Sequence, residues 1–275
     1  MRSFFCTFGI SLMFSLLCAG KGLLVLCTIP PQVESVRRVG GELVDVRSVV
    51  PQGASPETYS PTAREVAGFS QAKLLFLIGA PMEKAFAPRL AKAFPSLRQI
   101  DTTCAMEMRE GDPHCWLGIE NMVAHTYLVC KTLAKLFPGR REELERNAEL
   151  YVRELQDLEH RLSADFRERG GQEIVVWHPA YGYFLEPYRI GQIAVEEEGK
   201  SPGARHFVEL KERTAGLACR ALFAPLQANP RQVKSACKTL NLKRVDADVL
   251  PEEYLAGMLR LGRTILSQLP QGGAR

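Results

Sequence analysis

His178 stands in "IVVWHPAYGYF" (174–184), directly after a run of apolar, β-favouring residues and before Pro179. A single histidine in such a place is ordinarily a core or turn residue. Three other polar side chains occupy comparable positions. Glu57 lies in "PQGASPETYSPT" after the run 43–50, His114 in "GDPHCWLGIEN" after 97–101, and Asp246 in "KRVDADVLPEEY" after 242–245. In open parallel sheets, ligands bind beyond the carboxyl ends of the strands, so side chains placed there can meet. Two neutral imidazoles and two carboxylates make a mixed nitrogen–oxygen shell. Zinc takes histidine nitrogen at about 2.0–2.1 Å and carboxylate oxygen at about 2.0–2.2 Å. Manganese also accepts this set, since it suits oxygen-rich sites. Pro56, Pro113 and Pro179 adjoin three of the four candidates and stiffen the local backbone. Less entropy is then lost when a cation is gripped.

Each residue taken alone has a plainer reading. Glu57 is then a solvated loop carboxylate, and His114 or Asp112 caps a helix that begins near residue 116. Asp246 and Asp248 are then turn residues before Pro251. Cys115 adjoins His114, but consecutive residues of an extended segment point in opposite directions, so no cysteine clearly joins the set. The joint placement at strand ends favours the metal set over any of these.

The elements that must hold these side chains are legible as an alternation. Buried-looking strands are expected at 23–29, 43–50, 74–80 and 97–101, with helical patterns between them. Strands are expected again at 173–177, 190–195, 219–224 and 242–245, with helices around 180–188, 204–216, 229–240 and 251–269. This order implies an α/β protein with parallel sheets covered by helices. Residues 116–136 read as a helix ended by Pro138-Gly139. After it, Leu144, Ala148, Tyr151, Leu155, Leu158 and Leu162 recur at steps of three and four, up to Gly170-Gly171. That is one long amphipathic helix. The expected organisation is an N-terminal βα lobe at 23–137, a linking helix at 138–170 and a C-terminal βα lobe at 172–275.

The first 20 residues differ from the rest. Arg2 precedes "SFFCTFGISLMFSLLCAG", which carries no further charge until Lys21. A basic start, an apolar stretch and small residues at its end read as a secretory signal peptide. "SLLC" at 15–18 loosely resembles a lipoprotein cleavage box with Cys18 as the lipid-bearing residue, although Leu17 stands where a small residue is usual. The protein is therefore expected outside the cytoplasmic membrane, free or lipid-anchored. The net charge of +4 forms no basic stripe, which argues against nucleic-acid binding. Six cysteines follow the signal, without a CxxC, and Cys27 and Cys219 sit in strand-like runs as small apolar residues.

At this point the chain resembles a known family: the periplasmic substrate-binding proteins of zinc and manganese ABC importers, the ZnuA/TroA-like cluster. The resemblance runs from about residue 23 to residue 269. The stretches "TIPPQVESVRRVGGELVDVRSVVPQGASPETYSPTAREV", "GDPHCWLGIENMVAHTYLVCKTL", "VVWHPAYGYFLEPY" and "GKSPGARHFVELKE" carry it. It implies two α/β lobes joined by a rigid backbone helix, with one metal ion in the cleft. The family's ligands fall on Glu57, where histidine is usual, on His114, on His178, and on Asp246 or Asp248, with Asp246 preferred because it directly follows the strand. Histidine at the third place goes with zinc in the family, and glutamate there with manganese.

Gly118 and Pro179 stand where acidic residues are common, and Ala224 where glutamate is frequent. The histidine- and acid-rich loop of some zinc-specific members is missing between Pro81 and His114. The function implied is capture of zinc or manganese and delivery to a membrane permease, by a monomer that is not an enzyme. Two alternatives stand beside it. One is a surface adhesin of the same fold with a weakened site. The other is a zinc hydrolase, which would leave a coordination position open for water.

Overall fold

Short apolar runs make the strands, and their composition sets their place in each sheet. The computed structural model describes residues 22–196 and 203–271. The expected signal segment and Cys18 lie outside the described residues. In the N-terminal half, β1 (Leu23–Cys27), β2 (Val44–Ser48), β3 (Leu74–Leu77) and β4 (Arg98–Asp101) form a parallel sheet in the order β2-β1-β3-β4. In the C-terminal half, β5 (Glu173–Val176), β6 (Gly191–Ala194), β7 (Ala221–Ala224) and β8 (Lys243–Asp246) repeat that order as β6-β5-β7-β8. The central strands are nearly all apolar, as strands covered on both faces must be. The edge strands β4 ("RQID") and β8 ("KRVD") carry charge, which discourages pairing with another chain.

The helices are α1 (Pro31–Gly40), α2 (Ala63–Gly68), α3 (Glu83–Ala93), α4 (Ile119–Leu136), α5 (Arg141–Phe166), α6 (Gly182–Leu185), α7 (Ala204–Ala215), α8 (Pro230–Leu240) and α9 (Tyr254–Leu266). Local chemistry sets several ends. Thr62 and Glu65 form a reciprocal capping box on α2. Asn229 accepts from the Arg231 and Gln232 amides at the start of α8. Gly41 ends α1 at φ +53°, a conformation that favours glycine.

The long helix α5 has 26 residues, so it is about 39 Å long. It starts at Arg141 rather than at the expected 138, because Pro138–Arg140 form a separate 3-10 turn. Its stripe serves both halves. Leu144 and Ala148 pack into the N-terminal core, while Tyr151, Leu155, Leu158, Leu162 and Phe166 enter a core shared with β5, α6 and α9.

Polar bonds tie the halves together beside this shared core. The Trp116 indole N–H donates to the Val249 carbonyl at 2.8 Å, and the Tyr254 hydroxyl donates to the Trp116 carbonyl at 2.8 Å. Glu34 on α1 accepts the Leu255 amide at the start of α9, at 3.1 Å. Replacing Trp116 with phenylalanine keeps an aromatic ring, though a smaller one, and orphans a buried carbonyl. That change is expected to lower unfolding stability by about 1–3 kcal/mol in a urea titration of the metal-free protein.

Candidate metal centre

Each predicted side chain is placed by the element before it. β2 runs into a loop in which Ser55 organises the backbone: its carbonyl accepts the Tyr59 amide and its hydroxyl accepts the Glu57 amide at 3.3 Å. Glu57 leaves this loop toward the cleft. β4 leads through residues 102–113 to His114, which precedes a 3-10 turn at Cys115–Leu117. Tyr183, from the opposite half, holds this approach. Its hydroxyl accepts the Arg109 amide at 2.6 Å and donates to the Asp112 carbonyl at 3.4 Å, while the Arg109 guanidinium lies over its ring. β5 delivers His178, whose carbonyl accepts the Ala180 amide in a tight turn around Pro179.

The three side chains converge. Glu57 Oε1 lies 2.9 Å from His178 Nε2 and 3.8 Å from His114 Nε2. The two Nε2 atoms are 3.2 Å apart. A tetrahedral shell with bonds near 2.05 Å puts its donors about 3.3 Å apart. The observed separations bracket that value, so one ion of zinc's size can take all three donors. The group lines a cavity of about 210 Å³ between the halves, walled by Trp116, Trp177 and Leu250. His114 is nearly buried and His178 is shielded, with 8% and 15% of their side chains exposed, so little water competes for these donors.

The far nitrogen of each imidazole is also held. Asp112 Oδ1 lies 2.8 Å from His114 Nδ1 and also accepts the His114 amide at 3.0 Å. Glu196 Oε2 lies 3.2 Å from His178 Nδ1. Both Nε2 atoms are thereby turned toward the cluster. Burial pushes the His178 imidazole down, but its hydrogen bonds to Glu196 and Glu57, and their charges, outweigh this and lift it to about 9. The His178 hydrogen bond in turn holds the Glu57 carboxyl below its usual range, against the opposing effect of burial.

Asp246 is not brought into the group. It ends the edge strand β8, and residues two apart on a strand share a face. Its carboxylate therefore meets Arg244 at 2.7 Å, and more than half of its side chain is exposed. Asp248 lies in the following loop, where its Oδ1 accepts the Leu250 amide at 2.9 Å. Sequence reasoning read Asp112 only as a cap and missed Glu196. Glu196 follows β6 at a strand's carboxyl end, the same signal that marked the others, but it opens the run "EEE" and looks like solvated charge. His125 does not join either. It is buried in α4 against Phe76, and burial pushes it down to about 3. The six cysteines among the described residues are unpaired, and four of them are buried.

The chain is similar to known proteins over most of its length. The family model described as zinc-uptake complex component A, periplasmic, matches residues 25–266. The metal ABC transporter substrate-binding lipoprotein FimA of Streptococcus parasanguinis is 25% identical over 263 residues, covering 85% of this chain and 84% of its own. The manganese ABC transporter substrate-binding lipoprotein PsaA of Streptococcus anginosus is 24% identical over 264 residues, covering 87% and 84%. The crystal structure of ZnuA matches with a TM-score of 0.84 at 25% identity, over 90% of this chain and 99% of that one. With its matched model, paired parallel sheets and linking helix, this chain belongs to the ZnuA family of periplasmic zinc-uptake components.

Proposed function

We propose that this protein captures a divalent transition metal ion, zinc in preference to manganese, on the outer side of the cytoplasmic membrane and delivers it to an ABC permease. The observation that carries this reading is the convergence of Glu57 Oε1, His114 Nε2 and His178 Nε2 in the cleft at the spacing of a metal shell. Two imidazoles and one carboxylate suit zinc, while the carboxylate at position 57 adds the hard oxygen that manganese prefers. The ion enters the cleft, sheds water and is held by these three donors. The protein acts as a monomer, and a small movement of one half against the other releases the ion at the permease. The helix α5 and the shared core keep that movement small. Calorimetric titration of the metal-free protein with zinc and with manganese tests capture. One saturable site with tighter zinc binding is the expected result, and no saturable binding sinks the reading.

Asp248 is the better fourth donor. Its neighbours Val249 and Leu250 line the cavity, whereas Asp246 is paired with Arg244 and more than half exposed. Asp248→Ala is expected to weaken zinc binding by about 10-fold or more, and Asp246→Ala to leave it within about threefold. Equal losses in the two variants, read by competition with a zinc-binding dye, would reject this assignment. The three-donor count also suits a hydrolase with metal-bound water. That alternative requires the zinc-loaded protein to cleave activated esters, and the capture reading expects none.

A further inference from the structure

We propose that Glu196 is the positioning residue of the metal centre. On this assignment, it fixes His178 with its proton on Nδ1 and its lone pair on Nε2, aimed at the ion. The inference rests on the reading of Glu57, His114 and His178 as ligands. It goes further by giving a role to a carboxylate that the resemblance to known importers does not mark.

The geometry separates this role from direct ligation. His178 turns Nε2 toward Glu57 at 2.9 Å and His114 at 3.2 Å, and Nδ1 toward Glu196 at 3.2 Å. The two nitrogens sit on different edges of the ring. Glu196 lines the same cavity, but its carboxylate meets the Nδ1 edge of the ring while Nε2 faces the other donors. It is also held there by the sheet. The Val195 amide donates to the Val176 carbonyl at 2.9 Å, and the Glu196 amide donates to the Trp177 carbonyl at 2.8 Å. Backbone bonds between the two segments thus continue past β5 and β6 and set Glu196 beside the residue that precedes His178. Only 18% of the Glu196 side chain is exposed, so water competes weakly for its bond to the ring.

Chemistry gives that bond a purpose. A histidine bound to metal usually donates its other N–H to a carboxylate, carbonyl or water, which fixes the tautomer and raises the basicity of the ligating nitrogen. Asp112 does this for His114 from two residues away in the same loop. His178 has no such neighbour in sequence, because Pro179 follows it where an acidic residue is common in the family. Glu196 supplies the carboxylate from just past the end of the adjacent strand instead.

The test compares zinc affinity of the full-length mature protein with that of Glu196→Gln and Glu196→Leu, by chelator competition. Glutamine keeps an acceptor oxygen without the charge, and leucine keeps neither. Zinc affinity is expected to fall about 10-fold in Glu196→Gln and about 100-fold in Glu196→Leu. Nitrogen-edited NMR of the zinc-loaded proteins provides a readout that a purely structural role leaves in place. The His178 Nδ1 proton is expected downfield and slow to exchange in the wild type, and lost to rapid exchange in Glu196→Leu. If the wild type binds no zinc, the metal-centre reading falls and takes this inference with it. If the wild type binds and both variants bind within threefold of it, this inference alone is overturned. It is also overturned if affinity falls while the protected Nδ1 proton persists in Glu196→Leu.

Discussion

Replacing His178 with alanine is expected to remove saturable zinc binding while leaving a folded protein. His178 touches both other converging donors and Glu196: Glu57 and His114 through Nε2, and Glu196 through Nδ1. Its loss deletes one donor and leaves Glu57 without its closest partner. Changes behind a ligand typically cost about 10–100-fold in affinity, so loss of the ligand itself is expected to exceed about 100-fold. The fold is expected to survive, because the side chain faces the cleft and the hydrophobic cores on either side do not include it. Circular dichroism establishes that the metal-free variant is folded, and competition with a zinc-binding dye measures the loss. Zinc binding within a few-fold of wild type would remove His178 from the ligand set and leave the convergence without a function.

The parts of the molecule that follow from short-range physics are legible in the sequence. Parallel strands covered on both faces need continuous apolar runs, and "LLVLC", "LLFL" and "EIVV" supply them. The stripe of α5 follows from helical periodicity, and Gly170-Gly171 closely follow its end. Convergence of Glu57, His114 and His178 followed from one rule of parallel sheets applied at several strand ends. The rule does not encode side-chain direction. Asp246 satisfies the positional rule but points away, because the alternation of a strand pairs it with Arg244. Glu196 satisfies the same rule and was hidden because adjacent glutamates resemble a solvated face. Its role depends on the register of β6 against β5, a long-range pairing that no local pattern states. The bonds of Tyr183 to the loop before His114 likewise join residues more than 70 positions apart.

Between pH 6.5 and 8.5, zinc affinity is expected to rise about 100-fold while the metal-free protein becomes less stable. Both effects come from His178. In the metal-free protein, its neighbours Glu196 and Glu57 overcome the effect of burial and hold the imidazole at about 9. Coordination needs the Nε2 lone pair, so binding below that value must expel a proton. Affinity therefore changes by about tenfold per pH unit. In the unfolded chain the same imidazole titrates near its ordinary value of about 6.5. The folded state holds the proton more tightly, so the stabilising contribution is complete below about pH 6.5 and disappears as the pH rises through about 9. Its size is on the order of 3 kcal/mol. Glu57 acts at the other end of the scale. Its lowered carboxyl stabilises the fold above the usual carboxylate range, and that contribution is lost only as the pH falls through its folded value. Urea unfolding of the metal-free protein and zinc competition titrations at pH 6.5, 7.5 and 8.5 should therefore show opposite slopes. Calorimetry in buffers of different ionisation heat should record about one proton released per ion at pH 7.5. Affinity that stays flat across this window, with no proton released, would mean that the ion binds without displacing the His178 proton. The cluster of Glu57, His114 and His178 would then not be where the metal sits.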